Sequence, residues 1–389
     1  MNIRHNMHKK ATGRNDMSNS KRTPTNHLLS DIFRKKRVII PISILLAIIF
    51  MYSVFVFSSI PFVKYWRTIY IETAMTTADH QWLATAFIPG YIIDGVMSQK
   101  TDTSEVIGGE DFLNNSDERS ENERPHDILG QQELEVGGTD YAGYTVLIND
   151  IEQGLVVSEI SGSSYKGLVM LVDDPARVYL GSTPYKHVEG LRIKKMMEHH
   201  GAIAGINASG FSDPNDSGHG GDIIGLSYSE GEYWGTAVNY YGAVLMTQDN
   251  KLVVGNVQDW QNYDIRAGIQ FGPVLIADGK SQIEGSGGYG IQPRTAIGKR
   301  EDGVIVFIVI DGRQPTWSIG CTMGDLVEVL QKYEVINAAC CDGGSSSVLA
   351  YNNEVLNKNS SLNPTYGRRL PNAWLVAPKQ AAEESNGEQ

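Results

Sequence analysis

Near the C-terminus, Cys340-Cys341-Asp342-Gly343-Gly344-Ser345-Ser346-Ser347 places one carboxylate at the end of an apolar run, then two glycines and three hydroxyls. Such a turn suits a ligand, because glycine admits close backbone approach and serine supplies both donors and acceptors. Two other apolar runs end alike: residues 202–206 lead into Asn207, and residues 304–310 lead into Asp311-Gly312-Arg313. Two carboxylates in one site can share acid, base and nucleophile roles. A guanidinium beside them matches phosphate oxygens bidentately, which makes Arg294 a candidate anion clamp.

The elements that must position these groups are short strands. Thr322 offers a side-chain cap with Asp325 three residues on, and Met323, Leu326, Val327 and Leu330 recur at helical spacing. A helix there joins the runs ending at Asp311 and Asp342 into a βαβ unit with parallel strands and a right-handed crossover. Parallel strands bring their C-terminal ends to one edge, so Asp311 and Asp342 are expected to face one crevice. Residues 294–298 and the run from 304 are separated by a polar tip, Lys299 to Gly303, and read as a hairpin. If 298 opposes 304, then 294 opposes 308, roughly 10 Å short of Asp311, within much of an arginine's reach. Strand-like runs and turn signals fill most of the sequence from Tyr144, with one further helix at 191–200 closed by Gly201. The fold class expected is α+β, a mixed, strand-rich sheet with a C-terminal βαβ unit, preceded by one transmembrane helix.

The loop from Ser209 to Asp222 is rich in glycine and short polar residues, suited to an anion nest or a cation. Asp213, Asn215 and Asp216 lack the twelve-residue spacing and terminal Glu of a calcium loop. No metal site is assigned, no cofactor is expected, and a divalent cation is the one alternative left open. His219 reads as a hydrogen-bonding loop residue. Cys321, Cys340 and Cys341 fall in no CxxC or metal-ligand spacing and read as small buried residues, a 321–340 or 321–341 bridge being the alternative.

The net charge of -12 is unevenly spread. Residues 1–37 carry ten Lys/Arg against two acids, and residues 102–135 carry eleven acids against two Arg. No charged residue occurs from Val38 to Val63, a length sufficient for a spanning helix, and Arg34-Lys35-Lys36-Arg37 precedes it. The positive-inside rule then keeps the N-terminus cytoplasmic and places the remainder outside, single-pass at the cell membrane. The apolar core exceeds that of a signal peptide, and no small-x-small cleavage site follows it. The basic tail is explained by this topology, so no nucleic-acid partner is expected. Tyr65, Trp66 and Tyr70 stand where interfacial aromatics sit. The chain divides into a basic cytoplasmic tail (1–37), a transmembrane helix (38–60), a juxtamembrane helical stalk (61–97), an acidic disordered linker (98–136), a globular domain (137–378) and a disordered tail (379–389).

At Ile206-Asn-Ala-Ser-Gly-Phe211, Gly268-Ile-Gln-Phe-Gly-Pro-Val-Leu-Ile276, Arg294-Thr-Ala-Ile-Gly298, Asp311-Gly-Arg313, Asp342-Gly-Gly-Ser-Ser346 and Leu370-Pro-Asn-Ala-Trp-Leu-Val376 the sequence resembles the phosphodiester glycosidase family. The resemblance covers roughly 141–378. Ala208 and Ser209 replace glycines of the family's Asn-Gly-Gly-Phe-Phe stretch, and Ser345 replaces a third glycine after Asp342. The resemblance implies hydrolysis of the sugar–oxygen bond of a glycosyl-1-phosphodiester. Asp342, Asp311, Arg294 and Asn207 are then the catalytic set, with Gly343, Gly344, Ser345, Ser346, Arg313 and Gly210 against the substrate. In this reading the N–H groups of Gly343 and Gly344 help Arg294 neutralise the leaving phosphate. The 80–85 segment looks like that of membrane-anchored bacterial members associated with exopolysaccharide, so envelope-polysaccharide assembly proteins are the partners implied. A phosphodiesterase attacking phosphorus and a non-catalytic glycan-binding scaffold are the competing readings.

Overall fold

The computed structural model describes residues 25–77, 80–111, 134–212, 219–363 and 365–379. The chain forms two compact units, Met1–Lys64 and Tyr65–Gln389. In the first, the helix Thr25–Phe57 contains an apolar stretch, Ile39–Phe57, with a mean hydropathy of 2.7. Its side chains from Ile39 to Tyr52 are exposed, and by length and composition it is able to cross a membrane.

The second unit is built on an eight-stranded sheet. Its order is Lys280–Ser281, Val274–Ala277, Val335–Cys341, Arg294–Arg300, Ile305–Ile310, Lys166–Val172, Leu155–Ser161 and Thr145–Asp150, each strand antiparallel to its neighbours. A six-stranded and a five-stranded sheet pack against one face of it. Phe307 and Val309, Val244 and Met246, and Ile206 and Trp374, from the three sheets in turn, meet in one dry core. Fully burying each such side chain stabilises by about 1.5–3 kcal/mol. The opposite face is covered by the helix Met323–Lys332, which packs Met323, Leu326, Val327, Val329 and Leu330 onto Ile308, Ile310, Ala296 and Cys340. That helix opens on a capping box: Asp325 N donates to Thr322 Oγ1 at 3.1 Å, and Thr322 N donates to Asp325 Oδ2 at 2.8 Å. The helix Ile193–His200 ends where Gly201 adopts a φ of 66°, the left-handed closure expected of glycine.

The βαβ expectation is amended in one respect. The strands ending at Asp311 and Asp342 do run in the same direction, joined through the 323–332 helix. They are not adjacent, because the 294–300 strand lies between them and pairs antiparallel with both. The hairpin register also differs from the expected one: 298 opposes Val306 and Arg294 opposes Ile310, so the turn is two residues tighter.

The segment from Pro61 onward is helical over Pro61–Met75, Trp82–Thr85 and Gly90–Met97. It is not a free stalk: from Tyr65 it belongs to the same compact unit as the sheets, with Ile69, Ile71, Glu72 and Ala74 buried. Part of the expected acidic linker, 112–133, lies outside the described residues, as do most of the basic tail and 380–389. Within the rest of that linker, Ile107–Gly108 adds a strand to the six-stranded sheet.

Candidate active site

Asp342 follows directly on the 335–341 strand, and its main chain is held at both ends. Its N–H donates to Ala208 O at 2.9 Å, and its carbonyl accepts from Asn207 Nδ2 at 2.6 Å. Asn207 is fully buried, and its Oδ1 accepts from Thr295 Oγ1 at 2.8 Å and Val348 N at 3.1 Å. Asn207 therefore joins three elements and positions Asp342; it does not reach a ligand. The Asp342 side chain opens into a cavity of about 1570 Å³. Burial lifts its carboxyl to about 6, against the lowering pull of the Ser346 hydroxyl, the Arg368 charge, the Gly343 N–H and the Arg313 charge. A carboxyl at that level exchanges protons near neutrality, as a catalytic group must.

Asp311 does not share this cavity. Thr295 pairs with Val309 on one side and Cys341 on the other, so Asp342 stands level with Ile310, and Asp311 lies one residue beyond. Both residues lie just past the ends of their strands, and Asp311 is not among the residues that line the cavity. It is buried instead: Oδ2 accepts from Trp317 Nε1 at 2.8 Å and Lys358 N at 3.2 Å, and Oδ1 accepts from Asn357 Nδ2 at 3.0 Å. Burial raises its carboxyl pKa, and these bonds oppose the rise. Its partners make it a tie between the 311–318 and 347–358 loops.

The cations surrounding Asp342 come from several places. Arg313 has a left-handed φ of 59°, which turns the chain back. Its Nε and Nη2 donate to Gln292 Oε1 at 3.2 and 2.9 Å. Arg368 lies over the Phe211 ring at 4.6 Å and reaches Ser345 Oγ at 3.5 Å. Arg294 lines the cavity too, 8% exposed, but its Nη2 donates to the carbonyls of Tyr289 and Gly290, both at 2.8 Å. It faces carbonyls, not the two aspartates expected from the sequence. Of the charged residues lining the cavity, six are Lys or Arg (100, 192, 294, 313, 368, 369) and two are Asp (102, 342). That balance favours an anionic ligand. Phe211, Tyr240, Tyr241, Phe271 and Tyr289 add aromatic walls, and burial pushes the Tyr241 hydroxyl up to about 12, so it is a neutral donor.

Gly343, Gly344, Ser345 and Ser346 line the cavity as the sequence suggests. Gly344 N is spent on Pro293 O at 3.0 Å and does not serve an anion. Gly344 has a φ of +62°, and a Cβ there would lie 3.0 Å from Arg313 Nη2. Gly210 is buried behind the cavity, where a Cβ would lie 2.8 Å from the Phe271 ring. Cys321, Cys340 and Cys341 are free thiols, all buried. His219 O accepts from Gly190 N at 2.5 Å. Among the described residues no three His, Cys, Asp or Glu side chains gather to hold a metal ion; Asp213, Asn215 and Asp216 lie outside those residues.

Residues 200–377 match the family model for phosphodiester glycosidases. This segment belongs to the phosphodiester glycosidase family. A relative from Bacillus subtilis (strain 168), the SPbeta prophage-derived uncharacterized protein YomE, is 30% identical over 197 residues. That match covers 47% of this chain and spans only 29% of YomE. Among solved structures, the zebrafish N-acetylglucosamine-1-phosphodiester alpha-N-acetylglucosaminidase catalytic domain, auto-inhibited by its pro-peptide, is 19% identical with a TM-score of 0.47. It covers 58% of this chain and 82% of its own. A hypothetical protein from Synechocystis is 16% identical with a TM-score of 0.42, covering 60% and 64%.

Asn207, Arg294, Arg313, Asp342 and Arg368 all fall inside the phosphodiester glycosidase segment. One wall of the cavity does not: Met75, Thr76, Thr77, His80, Met97 and 100–104 precede it by about a hundred residues. Sequence reasoning missed that wall, and also Arg368 and Gln292. Adjacent arginines, Arg368-Arg369, just before the closing Leu370 strand signal were the one available cue.

Proposed function

We propose that the chain hydrolyses the sugar–oxygen bond of a glycosyl-1-phosphodiester, with Asp342 as the reacting carboxylate. The observation that carries this reading is the placement of Asp342 in one cavity with Arg313 and Arg368. A phosphate leaving group is a weak base and needs charge neutralisation more than protonation, so one carboxylate and two guanidiniums suffice. The C1–O bond breaks with its electron pair passing to the phosphate oxygen, against Arg313 and Arg368. Asp342 either attacks C1 itself or removes the proton from the attacking water. The products are a free sugar and a phosphomonoester. The aromatic walls suit a sugar face, and Arg294 adds positive potential from beneath.

The apolar helix supports a membrane-anchored reading in which the N-terminus is cytoplasmic, the catalytic unit lies outside, and the substrate is an envelope or exopolysaccharide glycan. Hydrolysis in oxygen-18 water tests the chemistry. Label in the released sugar is expected. Label in the phosphate would mean attack at phosphorus and a phosphodiesterase, and glycan binding with no release from any sugar-1-phosphodiester would leave a binding module.

A further inference from the structure

The helix Pro61–Met75 lies outside the family-matched residues, yet its last two turns are stitched to the loop 286–292. Glu72, 4% exposed, accepts from Ser286 Oγ through both carboxylate oxygens at 2.9 and 3.0 Å, and from Gly290 N at 3.3 Å. Thr73 Oγ1 accepts from Ile291 N at 3.0 Å, and Thr73 O accepts from Gln292 Nε2 at 3.2 Å. Thr76 Oγ1 donates to Tyr289 O at 3.1 Å. The backbones abut so closely that a Cβ on Gly290 would lie 2.3 Å from Thr73 N.

This loop in turn holds two arginines of the cavity. The carbonyls of Tyr289 and Gly290 receive Arg294 Nη2, and Gln292 Oε1 receives both Nε and Nη2 of Arg313. The orientation of Gln292 follows from the helix: because Thr73 O takes its amide N–H, its oxygen is left to face Arg313. A guanidinium tethered by two donors to one fixed oxygen has little freedom, and preorganised charge is what a phosphate site requires.

We infer that Glu72 and Thr73 are positioning residues for the anion site, so that the helix following the apolar segment is a working part of the phosphodiester glycosidase site. The inference rests on the proposed reading that Arg313 and Arg294 meet a phosphate. Its probe is inorganic phosphate, titrated calorimetrically into the full-length chain in detergent, beside kcat and KM on a sugar-1-phosphodiester. Glu72→Ala is expected to weaken phosphate binding about tenfold and to raise KM more than it lowers kcat. Glu72→Gln, which keeps an acceptor for Ser286 and Gly290, is expected to restore most of that loss. In the Arg313→Ala background, Glu72→Ala is expected to add little, because the 286–292 loop that Glu72 holds acts on the anion through Gln292 and Arg313. Should Glu72→Ala fail to fold, Ser286→Ala removes a single donor to the same carboxylate and is expected to act in the same direction. Unchanged phosphate affinity in these variants, or fully additive losses with Arg313→Ala, would overturn the inference. A wild-type chain that binds phosphate but turns over no sugar-1-phosphodiester would sink the glycosidase reading and leave the positioning role standing.

Discussion

Asn207 and Asp342 are joined through main chain and side chain: the Asn207 amide donates to the Asp342 carbonyl at 2.6 Å, while Asp342 N donates to the next residue's carbonyl, Ala208 O, at 2.9 Å. The carboxylate proposed to react is thus fixed by the end of a different strand, and its direction depends on a side chain with no access to the cavity.

Asn207→Ala leaves the Thr295 hydroxyl, the Val348 N–H and the Asp342 carbonyl without their partner in a dry core. Each orphaned group costs about 1–3 kcal/mol. The expected loss is about 3–5 kcal/mol, or a melting temperature lower by about 10 °C, with reduced kcat because Asp342 is no longer held. Thermal melting alongside turnover checks both. A variant that melts like wild type would contradict the positioning role.

In the proposed mechanism Asp342 sets the pH dependence. Its carboxyl is raised to about 6, mainly by burial, so it is protonated below that value and ionised above it. A nucleophile or base must be ionised, so kcat/KM is expected to rise with pH, levelling above about 6. Arg368 lowers this pKa, so Arg368→Met should move the limb to higher pH. The same shift acts on stability with the opposite sense. The folded state holds the proton more tightly than the unfolded state, so the ionised carboxylate costs stability above pH 6. Asp342→Asn is therefore expected to abolish turnover and to raise the melting temperature at pH 8, with little change at pH 4. A flat pH profile, or equal melting shifts at both pH values, would argue against this assignment.

How far the sequence reveals this arrangement depends on the range of the interactions concerned. The Thr322–Asp325 capping box and the Gly201 closure are local, and residue types three or one apart state them directly. The alignment of the strands ending at Asp311 and Asp342 was also legible, because a helix of ten residues joins them. Their facing was not. It turns on the 294–300 strand inserted between them, and on the loops beyond each strand, which hold Asp311 with Trp317, Asn357 and Lys358 and leave Asp342 on the cavity. The buried Glu72 gave no sign of its partners either, since a lone acidic residue in a helical stretch reads as solvated until the 286–292 loop is folded against it. Long-range packing of that kind leaves no periodicity.

Asp311 offers a contrast with Asp342. Asp311→Ala removes the acceptor of Trp317 Nε1, Asn357 Nδ2 and Lys358 N, which joins two loops. The expected result is a lower melting temperature, by roughly 5–10 °C for a loss of about 2–4 kcal/mol, with the acid limb of the pH–rate profile unmoved. Should that limb vanish as in Asp342→Asn, Asp311 would have to be counted among the reacting groups after all.

Gly344→Ala tests the packing of the turn against Arg313. The backbone at Gly344 has a φ of +62°, where an L side chain costs about 1–2 kcal/mol. The added methyl would also lie 3.0 Å from Arg313 Nη2, and Arg313 cannot retreat without stretching its paired bonds to Gln292. Both effects displace the guanidinium while leaving Asp342 in place, since Asp342 is held by Asn207 and Ala208. KM is expected to rise about tenfold with a smaller change in kcat, the pattern of lost binding common to ground and transition states. Gly343→Ala places its methyl elsewhere, 2.9 Å from Pro293 O, and φ there is -111°. It is expected to disturb the Asp342 end of the turn and to lower kcat. Steady-state kinetics on the two variants separates the cases: the same kinetic signature from both would mean that the turn moves as one body.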